Sequence, residues 1–146
     1  MPTRHVFSRW LAATAILFAF AIPAPGVLAQ MGAENRVVIQ VSDADPGKWN
    51  LALNNARNLQ ADLGAKNVDI EIVAYGPGIG MLKADSTVGN RVGEAVGAGV
   101  KVVACENTMR GQKLAKADML DGIGYVGSGV VEIMRRQQER WVYLRP

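Results

Sequence analysis

Past residue 35 the chain alternates between short apolar runs and longer amphipathic ones, and each change of period marks an element. "RVVIQVS" (36–42) is rich in β-branched residues and stops at "DADPG", which predicts a first strand ending in a turn. Asp45 followed by Pro46 predicts a helix start, because a carboxylate there caps free amides and the proline lacks an N–H that would go unused. Trp49, Ala52, Leu53, Ala56, Leu59 and Leu63 then recur at helical spacing, and Gly64 closes the helix. "NVDIEIVAYG" (67–76) alternates Val68, Ile70 and Ile72 with Asp69 and Glu71. It reads as a strand nearer an edge than the first, since one face is polar.

A weaker helix is expected over 85–97, where Gly89, Gly93 and Gly97 lower the propensity. "VKVVAC" (100–105) reads as a buried strand, and 107–121 as a polar segment with a short helix or two. "IGYVG" (123–127) reads as a fourth strand. Ser128 is placed to cap a last helix whose Val130, Ile133, Met134, Gln137 and Trp141 share a face. The ending "WVYLRP" is rich in β-formers and suits a short strand at an edge or an interface. Strands alternating with helices predict an α/β domain with a mostly parallel sheet of four to five strands. Such sheets carry their chemistry on the rim formed by the carboxyl ends of the strands.

The first 29 residues follow a different pattern. Arg4, His5 and Arg9 precede an apolar stretch from Trp10 to Ile22, Pro23 and Pro25 break it, and "GVLAQ" offers a signal-peptidase site before Gln30. The apolar run of 13 residues is shorter than the about 20 needed to span a bilayer. Residues 1–29 therefore read as a signal peptide, 30–35 as a short tail and 36–146 as one domain. No twin arginine is present, so export would be of the unfolded chain, and a periplasmic or secreted location follows. Arg4 and Arg9 supply two of the 16 basic residues, so the mature chain carries 14 against 13 acids. That balance gives no footprint for nucleic acid and no reason to expect membrane attachment after cleavage.

Removing the leader also removes His5, the one histidine of the chain. Ser-His-Asp and Cys-His catalysis and the common histidine-containing zinc or copper sites are thereby excluded. The single cysteine, Cys105, cannot form an internal disulfide or a multi-thiolate site, and the acids show no loop-ligand spacing, so neither metal nor cofactor is expected. Cys105 ends its strand on the reactive rim. Asn107 and Thr108 can cap a helix starting there, and Arg110 and Lys113 add positive charge, all of which favour thiolate, whereas Glu106 opposes it. The competing reading is a small buried hydrophobe. "GPGIG" after the second strand lacks the spacing of a dinucleotide loop, and its glycines suit a tight turn against the cysteine loop. Met81, Met109 and Met119 fit core filling better than Cu(I), and Arg135-Arg136 reads as the solvated face of the last helix.

"VVACENTMRG", taken with "VAYGPGIGML" before it and "VGSGVVEIMRRQQERWVYLRP" after it, resembles the DsrE/DsrF-like sulfur-relay family in its exported, single-domain branch. The resemblance covers nearly all of the mature chain. It implies a three-layer α/β sandwich with Rossmann-like topology that assembles as a homo-oligomer, a trimer or a hexamer. It also implies a catalytic Cys105 that takes sulfane sulfur as a persulfide and passes it to a partner. Asn107, Thr108, Gly76 and Gly78 would shape the binding pocket, with Asn107, Thr108 and backbone N–H groups stabilising the extra negative sulfur. The function expected on this basis is that of an exported sulfur carrier or sulfurtransferase. Its donor and acceptor, proteins or small thiols, are not identified by the sequence. The alternative is a non-catalytic ligand- or protein-binding oligomer with an incidental thiol.

Overall fold

The computed structural model of the protein describes Met1 and residues 33–146; the rest of the leader and its cleavage site lie outside the described residues. Five strands form one all-parallel sheet in the order β4-β3-β2-β1-β5. They are β1 (Asn35–Val41), β2 (Val68–Ala74), β3 (Lys101–Cys105), β4 (Gly124–Val126) and β5 (Val142–Leu144). Helices α1 (Pro46–Leu63) and α2 (Gly89–Gly97) cover one face, α4 (Gly129–Gln138) the other, and the short α3 (Glu106–Gly111) follows β3 directly. The result is the three-layer α/β sandwich.

Strand alternation decides what each layer contains. Val37, Ile39 and Val41 of β1, Ile70 and Ile72 of β2, and Val102 and Ala104 of β3 point into the larger core with Trp49, Leu53 and Ala56 of α1. The opposite parity, Val38, Val73 and Val103, packs under Ile133 of α4. Cys105 has the parity of Val103, so its sulfur faces the α4 layer. The start of α1 is as expected: the Asp45 side chain accepts from Gly47 N at 2.7 Å and Pro46 opens the helix. The three methionines Met81, Met109 and Met119 are all buried in the larger core.

Four expectations are corrected. Strand β2 is the centre of the sheet, not near an edge. Its Glu71 is 0% exposed and is tolerated there because Lys101 Nζ lies 2.9 Å from one carboxylate oxygen and Arg136 Nε donates to the other. Arg136 is accordingly not a solvated residue: it also binds Glu132 at 2.9 Å and Glu139 at 3.1 Å and stacks on Trp141, 4.6 Å from the ring centroid. Arg135 alone of the pair is exposed. The buried face of α4 is Glu132 and Ile133, while Val130, Met134 and Gln137 point outward. The helix thus rotates its ionic stripe inward to meet Glu71. Finally, α2 starts at Gly89, four residues later than its pattern suggests.

Candidate functional site

The turn after β3 has almost no length, because α3 begins at the residue following Cys105. Cys105 itself is the N-cap of α3, in extended geometry at φ −77° and ψ 113°. Asn107 and Thr108 lie inside that helix and so do not cap it. Neither does the Ser128 hydroxyl cap α4. The first amide of α4 instead goes to the thiol: Gly129 N–H donates to Cys105 Sγ at 3.3 Å. Glycine gives this approach its room, since a Cβ would fall 3.0 Å from Tyr75 Cβ and 3.1 Å from Tyr75 Cδ1 and press the ring aside.

Thr108 ties the thiol to the glycine loop. Its Oγ1 accepts from Gly76 N–H at 2.9 Å, which leaves the hydroxyl proton free to be donated to sulfur. Gly76, at φ +54°, turns the chain out of β2, and Gln112 Nε2 donates to its carbonyl at 3.3 Å. The glycine loop and the cysteine turn are therefore joined, as the sequence suggested. Asn107 N–H donates to the Gly127 carbonyl at 3.1 Å, bridging α3 to the end of β4, and the Asn107 side-chain oxygen accepts from Arg110. Gly78 sits elsewhere: it is buried against the end of β1, where a Cβ would come within 2.3 Å of the Val41 carbonyl oxygen. It holds the loop to the sheet and makes no described contact with the thiol.

Cys105 is only 4% exposed, and burial is the largest single influence on it, pushing the thiol up. Hydrogen bonds from the Thr108 hydroxyl and from the N–H groups of Gly129, Thr108 and Asn107 together outweigh burial, so the thiol lies below its ordinary value of 9.0. Gly129 and Thr108 matter most for geometry, because the Asn107 amide is already engaged with Gly127. Donors to its anion thus favour the thiolate of Cys105, with no base beside it.

Two of the molecule's hollows flank the sheet. One, of about 530 Å³, opens between α3 and α4 over the end of β4, and Cys105 does not line it. The other, of about 190 Å³, lies between α1 and α2, with Arg57 and Arg91 at an apolar floor of Leu53, Ala56 and Val100, and contains no nucleophile. Among the described residues no group of three or more His, Cys, Asp or Glu is placed to hold a metal ion. No helix among them is long and apolar enough to cross a membrane. Gly129 is the functional residue that sequence reasoning missed; the small-residue run "GSG" before the last helix was the available signal.

The sequence profile of the DsrE/DsrF-like family matches residues 35–146. Of solved structures, the protein of unknown function MTH1491 from Methanobacterium thermoautotrophicum is 42% identical, with a TM-score of 0.74 over 77% of this chain and 100% of its own. BT1422 of Bacteroides thetaiotaomicron, also of unknown function, is 17% identical, with a TM-score of 0.66 over 80% of this chain and 98% of its own. The ychN protein of E. coli is 16% identical, with a TM-score of 0.59 over 77% and 99%. The last two share the fold. None of the curated proteins matches the chain. The chain belongs to the DsrE/DsrF-like family.

Proposed function

We propose that this member of the DsrE/DsrF-like family is an exported sulfur carrier that receives sulfane sulfur on Cys105 as a persulfide and hands it to an acceptor. The observation that carries the reading is the Gly129 N–H on Cys105 Sγ, together with a thiol lowered in spite of burial. The thiolate attacks the terminal sulfur of a donor, the donor's S–S bond breaks, and the departing thiolate takes the electron pair. The terminal sulfur of the resulting persulfide is a stronger acid than a thiol, and the amides at the start of α4 favour its anion. No histidine is needed for such an exchange, and residues 30–146 contain none. The test is intact-mass analysis after incubation with a sulfane donor: a gain of about 32 Da on the wild type and none on Cys105→Ser is expected of a persulfide-forming thiol. A wild type that gains nothing, or a variant that gains as much, sinks the assignment.

The carrier works as a homo-oligomer, a trimer or hexamer. Supporting this, Val130, Val131 and Met134 leave apolar side chains exposed on α4. Sedimentation of the wild type against Val130→Glu/Met134→Glu tests it, and a monomeric wild type would refute it. Export is checked in the same mass spectrum, where the chain from a periplasmic preparation should begin at Gln30.

A further inference from the structure

Cys105 poses a problem of access. Its thiol is 4% exposed, yet any exchange at sulfur requires a reagent to touch it. The groups around the sulfur differ in how firmly they are held. The Gly129 amide belongs to α4, which Arg136 ties to Glu71 and Glu132. The Thr108 hydroxyl is fixed by the Gly76 N–H, and Val126 by its pairing opposite Cys105 in β4. Tyr75 is the fourth neighbour. Strands β2 and β3 pair in parallel up to Ala74 opposite Ala104, so the next residues, Tyr75 and Cys105, stand side by side about 5 Å apart. Val73 and Val103, two residues back, share the α4 face, and Tyr75 packs on their cluster, so both side chains point that way. The Tyr75 main chain is pinned by its N–H to the Val41 carbonyl at 3.1 Å and by the following Gly76 N–H to Thr108. Its side chain is half-buried and rests on the bare Cα of Gly129, where a Cβ would fall 3.0 Å from Tyr75 Cβ and 3.2 Å from Cγ. The ring therefore lies against the residue whose amide holds the sulfur, outside a thiol that is itself buried. With the main chain fixed on both sides, it leaves only by turning about its own side-chain bonds.

We propose that Tyr75 is the gate of the thiol: the ring shields Cys105 Sγ while it rests on Gly129, and turning away from Gly129 lets a reagent reach the sulfur with the fold and the donor set intact. The gate concerns access alone and does not rest on the sulfur-carrier reading.

Labelling of Cys105 by iodoacetamide in the full chain tests it, with rates compared on the alkaline plateau, where the thiol is fully ionised and only access differs. In the wild type the rate should stay flat through low urea, because turning one ring exposes little surface, whereas a thiol reached only through unfolding is labelled faster as urea rises. Tyr75→Leu keeps apolar packing on the cluster but drops the ring, and should be labelled about five- to twentyfold faster. Tyr75→Phe, which keeps the ring, should match the wild type. Val38→Ala loosens the same cluster two strands away from the thiol and should also match it. A wild-type rate that climbs with urea from the start overturns the gate. So does a Tyr75→Leu protein labelled at the wild-type rate, or a gain in Tyr75→Phe or Val38→Ala equal to that of Tyr75→Leu. Should Tyr75→Leu fail to fold, the wild-type urea slope decides alone. Sulfur loading enters none of these measurements, so a gate that holds in a protein that never gains sulfur refutes the carrier alone.

Discussion

Removing Arg136 would leave a carboxylate stranded at the centre of the sheet. Glu71 is 0% exposed on the middle strand, and Arg136→Ala deletes the guanidinium that reaches its inner oxygen, leaving Lys101 at 2.9 Å on the other. Breaking a buried pair costs about 3–5 kcal/mol, and the remaining lysine, half in solvent, places this site at the lower end. Loss of the stack on Trp141 adds about 1 kcal/mol. A total near 4 kcal/mol is a large part of the about 5–15 kcal/mol that holds a domain of this size together. In urea unfolding the midpoint should fall at unchanged slope, and thermal unfolding should come about 15 °C earlier. Glu71→Gln/Arg136→Gln removes both charges, so it should be more stable than the sum of its single variants by about 2 kcal/mol. An Arg136→Ala protein within 1 kcal/mol of wild type, or strict additivity in the cycle, would refute the reasoning. The cluster also docks the helix whose first amide binds sulfur, so Arg136→Ala should slow thiol labelling as well.

Three further outcomes follow from the thiol's surroundings. Because the folded thiol lies below its ordinary value of 9.0, the stabilisation it confers is complete above pH 9.0 and is lost as pH falls through the folded midpoint. The urea-midpoint difference between wild type and Cys105→Ser should therefore grow as pH rises toward that limit, and a flat or falling difference contradicts the donor geometry. Thr108→Val removes the acceptor of the Gly76 amide and a donor to sulfur, so it should cost about 1–2 kcal/mol and shift the labelling midpoint to higher pH. Gly129→Ala presses a methyl against Tyr75, which should cost about 1–3 kcal/mol in unfolding and raise the same midpoint by displacing the amide from sulfur.

The sequence made the element order, the first helix and the position of Cys105 legible, because each rests on neighbours in the chain. Asp45 bonds two residues onward and Gly64 four residues back, and the apolar period of 46–63 is local. What it hid depends on contacts across the fold. Glu71 and Arg136 are 65 residues apart, and read separately they suggest an edge strand and a solvated helix; only together do they justify a central strand with a buried ion cluster. Cys105 and Gly129 are 24 apart, so Ser128 looked like a cap for α4 when the amide it was to serve belongs to sulfur. The exposed Val130 and Met134 have the same origin, since the face of α4 that turns inward is chosen by its glutamate and arginine.

These long-range contacts also set the limits on the chemistry. With no imidazole in residues 30–146, the thiolate fraction of Cys105 depends on donors from three segments: Gly129 at the start of α4, Thr108 in α3, and the Gly76 loop acting through Thr108. A displacement that raises the thiol lowers the thiolate fraction at a given pH. The stronger basicity of the remaining anion recovers part of the rate. A thiol held this way is tuned by small geometric changes, and no single substitution around it should abolish thiol exchange as Cys105→Ser does. The residue with the greatest leverage is then Arg136, far from the sulfur, because it fixes the helix that supplies the best-placed amide.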